Sequence, residues 1–409
     1  MTNIIDYTLS LKDRMKETDE KEYDQAAFEL NAVFNKVLAG AYGVRTAVIF
    51  CYLFPEYIPA FAESMLDTAT FLNESYDEDD DGYKYLQVFL RLFQEKIESR
   101  YVSRAIDRIS IKNYGMKNPE YGKPGDLYLA FATLSPKHQD VVAPKVAQYL
   151  FYMGNEYYLA KFFYYYRRIR QKHELDRHFF FSYNLSEEWL DRWLDNQIKE
   201  GREKLRLYKK EAEKAGVPLS SPDSAIIKGR YGVTSPQFIV MHSAGAGSPV
   251  ERIVANFFNP NSKVTAHFVV TVKGRIYQLT SLDDAAKANR TDNDPDEDRY
   301  YKLSRHDFFR QTSNNANNFT VAIECEEFGD HGRLAPCQYF AVLHLFKYIN
   351  EKLGIPIDDW HVIGHGDVTP ITKSYCPGES FPLKSLIEDY QINKNNLGPA
   401  VILDPAELV

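Results

Sequence analysis

Two histidines at the ends of short apolar runs and one loop cysteine could set the chemistry of this chain. His242 follows Phe238-Ile239-Val240-Met241, His365 follows Val362-Ile363-Gly364, and Cys376 comes eleven residues after His365, across a loop bearing Pro370. Two imidazoles and a thiolate can converge on one tetrahedral Zn²⁺, and a three-ligand set leaves the fourth position open, which separates a catalytic zinc from a structural one. The competing reading is two packing histidines and a buried free thiol, the usual case for a single histidine. A thiolate donates more electron density than an imidazole, so a general base beside such a metal matters more. Glu324, in Phe319-Thr320-Val321-Ala322-Ile323-Glu324-Cys325-Glu326, is the candidate. An extended run sends Glu324 and Glu326 to one face. Apolar neighbours raise a carboxylate's pKa and suit it to accept and return a proton. Its alternative role is to neutralise a neighbouring cation.

These side chains need strands to hold them. The pattern predicts strands at Gln237 to His242, Val264 to Val272, Arg275 to Thr280, Phe319 to Glu326 and Trp360 to His365, with helices at Pro249 to Phe258, Pro336 to Leu353 and Pro382 to Gln391. Upstream, three- and four-residue apolar spacing predicts helices over Ala26 to Phe50, Tyr83 to Ser99, Asp140 to Tyr166 and Ser186 to Ala215. Ser186 caps the last, and Gly216 and Pro218 stop it. The expected fold is an N-terminal all-α domain plus a C-terminal α/β domain with a central mixed β-sheet flanked by helices. The expected boundaries are 1–215 for the helical domain, 216–233 for a polar, proline-broken linker, 234–395 for the zinc domain and 396–409 for a tail.

Val240-Met241-His242-Ser243, Thr265-Ala266-His267-Phe268-Val269-Val270, Gly274-Arg275-Ile276-Tyr277-Gln278-Leu279, Val321-Ala322-Ile323-Glu324 and Gly364-His365-Gly366-Asp367 stand in an order that resembles the type 2 N-acetylmuramoyl-L-alanine amidases, which share a fold with phage amidase lysozymes and peptidoglycan recognition proteins. The resemblance covers about residues 234 to 390. It implies one Zn²⁺ per chain on His242, His365 and Cys376, a catalytic Glu324 and a peptidoglycan substrate cut between N-acetylmuramic acid and L-alanine. It also implies an oxyanion donor two residues before the last ligand. Ser374 occupies that place here, so Lys373, one residue earlier, is the candidate. His267 matches a position near the metal, with a supporting or substrate-contacting role. Lys287 stands where relatives carry Trp-His-Ala-Gly, which points to a different substrate wall. Ala266 replaces the tyrosine that phage-type relatives use. His361 lacks a zincin glutamate and is read as a packing residue.

Composition narrows the partners. Net charge is −8, with no basic stripe interleaved with aromatics, so nucleic acid is disfavoured. Four cysteines, Cys51, Cys325, Cys337 and Cys376, are too few for a disulfide framework. The Tyr149 to Tyr166 stretch is broken by Asn155, Glu156 and Lys161, so no membrane span is expected. The start lacks a basic region and an apolar core, so no signal peptide is expected. Synthesis in the cytoplasm, then release or delivery to the cell wall, follows. Partners would be a holin, a delivery apparatus or an immunity protein, in a phage lysin or an effector, with the helical domain docking or targeting. Two rivals remain: a peptidoglycan-sensing module that does not cut, and a zinc amidase on another N-acylated peptide. Asp292, Asp294, Asp296 and Asp298 are read as a solvated acidic loop, with calcium the alternative.

Overall fold

The computed structural model describes residues 4–16, 19–38, 43–67, 81–111, 121–175, 186–244, 247–289, 303–312, 314–327 and 332–409. The Asp292–Asp298 run lies outside them. The chain forms two compact units, one of Met1–Phe162 with Arg168–His178, the other of Phe163–Arg167 with Phe179–Val409.

The described part of the first unit is helical apart from one antiparallel bridge between Ile111 and Tyr121. Its core is aromatic: Phe50, Phe61, Phe89 and Phe131 are fully buried, and Phe34 meets Phe61 edge-on at 5.5 Å. Buried Asp107 takes the Lys145 ammonium at 2.9 Å and the Tyr149 hydroxyl at 2.8 Å, so its charge is paired rather than stranded. The run expected over Ala26 to Phe50 is covered by the helices Glu20–Leu38 and Gly43–Leu53, with residues 39–42 outside the described ones. Two predicted helices end early. The one expected over Tyr83 to Ser99 stops at Phe93, ahead of a 3-10 turn at Gln94–Lys96. The run expected over Asp140 to Tyr166 stops at Tyr152, and the Asn155 carboxamide accepts from the Tyr158 N–H at 3.1 Å to start a new helix at Glu156. Apolar spacing continues through both breaks, so periodicity alone does not reveal them. Among the described residues no helix is long and apolar enough to cross a membrane.

The second unit is built on a six-stranded sheet. Its strands are β2 (Phe238–Ser243), β3 (Phe268–Val270), β4 (Ile276–Gln278), β6 (Thr320–Cys325), β7 (Val362–Gly364) and β8 (Ile402–Leu403), in the order β7-β2-β6-β3-β4-β8. Only the β3–β4 pair is antiparallel, so the sheet is mixed. Both faces are covered, which is why its strands read as nearly continuous apolar runs. On one face Ile239, Met241, Phe268 and Ile323 pack against Leu345, Phe346 and Ile349 of the Pro336–Leu353 helix and Leu386 of the Leu383–Asn393 helix. On the other, Val269 and Tyr277 pack against Val254 and Phe258, while Phe238 and Val240 meet Phe309 and Val368. β3, β4, β6 and β7 are shorter than predicted, while β2 keeps its expected length one residue further on.

The boundary between units falls earlier than the prolines predict. The Glu187–Ala215 helix is capped as expected, with Ser186 Oγ accepting from the Trp189 N–H and Gly216 left-handed at its end. Yet it belongs to the second unit. Leu205 is fully buried beside Val250 and Val254, and Gly201 lies so close to the Val250–Phe257 helix that a Cβ there would stand 2.7 Å from the Glu251 carbonyl carbon. The expected linker is built in as well. Ile226–Ile227 (β1) pairs with Ala285–Ala286 (β5), and the Arg230 guanidinium donates to the carbonyls of Leu282, Asn318 and Thr320. The expected tail supplies edge strand β8 and buried Leu408.

Candidate metal centre

Strand register assembles the centre. β2 and β6 run parallel with His242 beside Glu324, so both side chains leave the same face at neighbouring strand ends. On the opposite flank of β2, Met241 pairs with Gly364, the last residue of β7, and His365 opens a four-residue helical turn directly after it. The two imidazoles therefore meet with ring centroids 4.5 Å apart. Cys376 is brought back by its own loop. The Gly366 N–H donates to the Cys376 carbonyl at 2.8 Å, and the Cys376 N–H to the Lys373 carbonyl at 2.9 Å. Gly366 allows this because a Cβ there would press on the carbonyl oxygens of Lys373, Ser374 and Cys376 at 3.1–3.3 Å.

Cys376 Sγ lies 3.9 Å from His242 Nδ1, and one donor atom from each of His242, His365 and Cys376 falls within 4.8 Å of the others. A tetrahedral zinc with Zn–S about 2.3 Å and Zn–N about 2.0 Å requires S···N separations of about 3.5 Å, so small side-chain movements reach it. Burial drives the His242 pKa down to about 3, with Lys373 adding to the effect, so the ring is neutral and ligand-ready at physiological pH. Burial pushes the Cys376 thiol up to about 12, while the Ser243 N–H favours its thiolate. A thiol held that high needs a cation to be deprotonated near neutral pH, and two neutral imidazoles beside it make a zinc-type donor set. The residues fit the metal.

Glu324 lies at the edge of this cluster. Its side chain keeps some exposure, yet surrounding protein strips most of its hydration, and desolvation raises its pKa to about 8 against an opposing pull from Lys373. Lys373, half-buried, bears electrostatically on Glu324, His242 and Cys376 alike, which puts its ammonium beside the site. Ser374 Oγ is buried without a hydrogen-bond partner.

Residues 232–379 match the family model described as N-acetylmuramoyl-L-alanine amidase. This segment belongs to that family. Several solved structures are similar to part of the chain. A selenomethionine AmpD derivative shares 18% identity over 42% of this chain and 91% of its own, with a TM-score of 0.31. The PlyG catalytic domain shares 18% over 45% and 94%, also at 0.31. The N-acetylmuramoyl-L-alanine amidase LysC from Clostridium intestinale URNW shares 16% over 38% and 86%, at 0.26. No curated protein matches the chain.

In the amidase domain the other predicted residues take different places. His267 is fully buried. Its Nδ1 accepts from the Ala322 N–H at 3.0 Å, which puts the ring proton on Nε2, 3.1 Å from the Asp284 carbonyl and 2.8 Å from Arg230. No ring atom is left to face a substrate. Burial, with Arg230 beside it, lowers its pKa to about 3. Lys287 donates to the Ser224 carbonyl at 2.8 Å and ties the segment before β1 to β5 rather than entering the cluster. Glu326 shares the face of Glu324, but its carboxylate takes the Val250 and Val272 N–H groups at 2.9 Å each, and burial raises its pKa. His361 bonds Asp358 at 2.7 Å and stacks on Phe238. Sequence reasoning missed Glu327, which accepts from the Gly247 N–H and raises the Cys376 thiol's pKa. The signal was its place just beyond β6, in an acidic run with Glu324 and Glu326.

Proposed function

We propose that this chain is a zinc-dependent amidase that hydrolyses the amide between the lactyl group of N-acetylmuramic acid and L-alanine in peptidoglycan. The observation that carries the reading is the convergence of His242, His365 and Cys376 beside a carboxyl of raised pKa, within a segment of this family. Zinc on these ligands supplies Lewis acidity toward the scissile carbonyl. The rest of the work falls to the chain. Glu324 takes a proton from the attacking water and returns it to the departing L-alanine nitrogen, a cycle suited to a carboxyl whose pKa is near the working pH. Lys373 sets a positive charge against the oxyanion as it develops on the former carbonyl oxygen. His267 and Arg230 hold the adjacent main chain of β6 and so fix where Glu324 stands. The cellular setting in this reading is a phage lysin or a delivered cell-wall-degrading effector, with the first unit serving delivery or docking.

The test is turnover on purified peptidoglycan and on a soluble muramoyl peptide, following new L-alanine amino termini. Release that depends on zinc and disappears in Glu324→Gln supports the reading. Binding without release identifies a sensor, and release from other N-acylated peptides alone changes the substrate.

A further inference from the structure

Two buried polar atoms at the centre lack partners, and each is what the other needs. His242 Nε2 and Asn289 Oδ1 are both sealed from solvent with no hydrogen bond. The Asn289 carboxamide is nonetheless close enough to act on the His242 ring as a hydrogen-bonding group. A buried donor and a buried acceptor left unmade are costly, so their juxtaposition calls for a reason.

The rest of Asn289 is held firmly. It has no exposed surface. Its Nδ2 donates to Thr320 Oγ1 at 2.8 Å, while Thr320 Oγ1 points its own proton at the Asn317 carbonyl. That polarity distinguishes the amide's nitrogen from its oxygen and leaves Oδ1 directed away from Thr320. The Asn289 N–H donates to Asn317 Oδ1 at 2.9 Å, which also takes the Ala288 N–H. The Thr369 hydroxyl approaches the Asn289 carbonyl at 3.4 Å. On the far side of the imidazole, Nδ1 faces Cys376 Sγ. One ring nitrogen therefore faces the ligand cluster, and the other is sealed without a partner within reach of the Asn289 carboxamide on its fixed mount.

We propose that Asn289 is the positioning residue of the metal centre: its Oδ1 accepts the Nε2 proton of His242 and fixes the tautomer that offers Nδ1 to the metal. A ligating histidine is oriented by what its second nitrogen bonds, and loss of such a partner weakens metal binding roughly 10–100-fold. The assignment rests on the zinc reading above, and it adds a residue that neither a ligand-spacing pattern nor a catalytic role identifies.

The experiment uses the full chain and two variants. Asn289→Leu removes both the acceptor and the donor to Thr320; Asn289→Asp removes the donor and keeps an acceptor. Zinc affinity is measured by competition with a chromogenic chelator. ¹⁵N shifts of labelled histidine, read on chelator-treated protein, report which nitrogen of His242 carries the proton. Expected are a roughly 10–100-fold weaker affinity for Leu, an affinity within a few-fold of wild type for Asp, and the wild-type proton on Nε2. A Leu variant that binds zinc as wild type does, or an Asp variant that falls as far as Leu, overturns the proposal, because a packing role tracks the lost donor. Should Leu fail to fold, a wild-type His242 protonated on Nδ1 overturns it equally. A wild type that binds zinc but leaves peptidoglycan intact removes the proposed function and leaves this assignment standing; a wild type that takes up no zinc removes both.

Discussion

The raised pKa of Glu324 makes a measurable claim about folding. Its carboxyl titrates at about 8 in the folded chain against an ordinary 4.5. A group whose folded pKa is raised contributes stability that is fully present below the unfolded pKa and lost as pH rises through the folded one, so the window runs from about 4.5 to about 8. Integrating proton linkage between pH 5 and pH 8 gives a loss on the order of 3–4 kcal/mol from this one carboxyl. His242 works in the opposite sense: with its pKa lowered to about 3, it costs stability as pH falls below the ordinary histidine value. Glu324→Gln leaves that contribution in place, so the difference between wild type and variant isolates the carboxyl. The assay is urea unfolding of chelator-treated protein followed by tryptophan fluorescence. All three tryptophans, Trp189, Trp193 and Trp360, lie in the second unit, so the signal reports that unit alone. Wild type should lose on the order of 3–4 kcal/mol more than Glu324→Gln between pH 5 and pH 8. Parallel pH profiles for the two proteins would refute the desolvation argument and return Glu324 to an ordinary surface carboxylate.

Cys376→Ala and His242→Ala should each drop bound zinc from about one per chain to near none and abolish turnover, checked by metal analysis; full occupancy in either variant would sink the ligand assignment. Glu324→Gln should keep zinc but lower kcat roughly 100-fold or more, measured on soluble muramoyl peptide, and near-normal turnover would pass the proton work to another group. Leu205→Ala should destabilise the second unit by about 2–5 kcal/mol in the fluorescence assay, since its side chain is fully buried against the Val250–Phe257 helix. A fragment beginning at Ser224 should be less stable than one beginning at Ser186, and equal stability would return the Glu187–Ala215 helix to the first unit.

The clustering of His242, His365 and Cys376 was legible because their types are rare and both histidines come at the end of an apolar run, which parallel pairing brings to one edge. The place of Glu324 beside His242 was legible for the same reason, through its position on β6. Arg230 and Asn289 were not. Each is defined by distant carbonyls or by one ring nitrogen, partners scattered from Leu282 to Thr320 or placed on another strand, and no spacing encodes them. The unit boundary misled for a related reason. Pro218 and Pro222 do mark an irregular stretch, but irregular backbone is not free backbone: Ser221 Oγ and Thr265 Oγ1 meet at 2.6 Å in the interior. Helix breaks at Phe93 and Tyr152 were hidden because apolar spacing runs on across them. The edge strand at Ile402–Leu403 is too short for alternation to show.

The fold-back at Gly366 has a kinetic consequence. His365 and Cys376 are joined by a main-chain hydrogen bond one residue from one ligand and at the carbonyl of the other, so they move as a single clasp, while His242 rides on the neighbouring strand. A metal leaving such a centre would not meet three independent donors, because His365 and Cys376 would be held together while His242 stands on its own strand. Exchange of bound zinc should therefore be slow relative to what three separate ligands of the same strength would give, and a side chain at position 366 that pries the loop open should speed release more than it weakens any single bond.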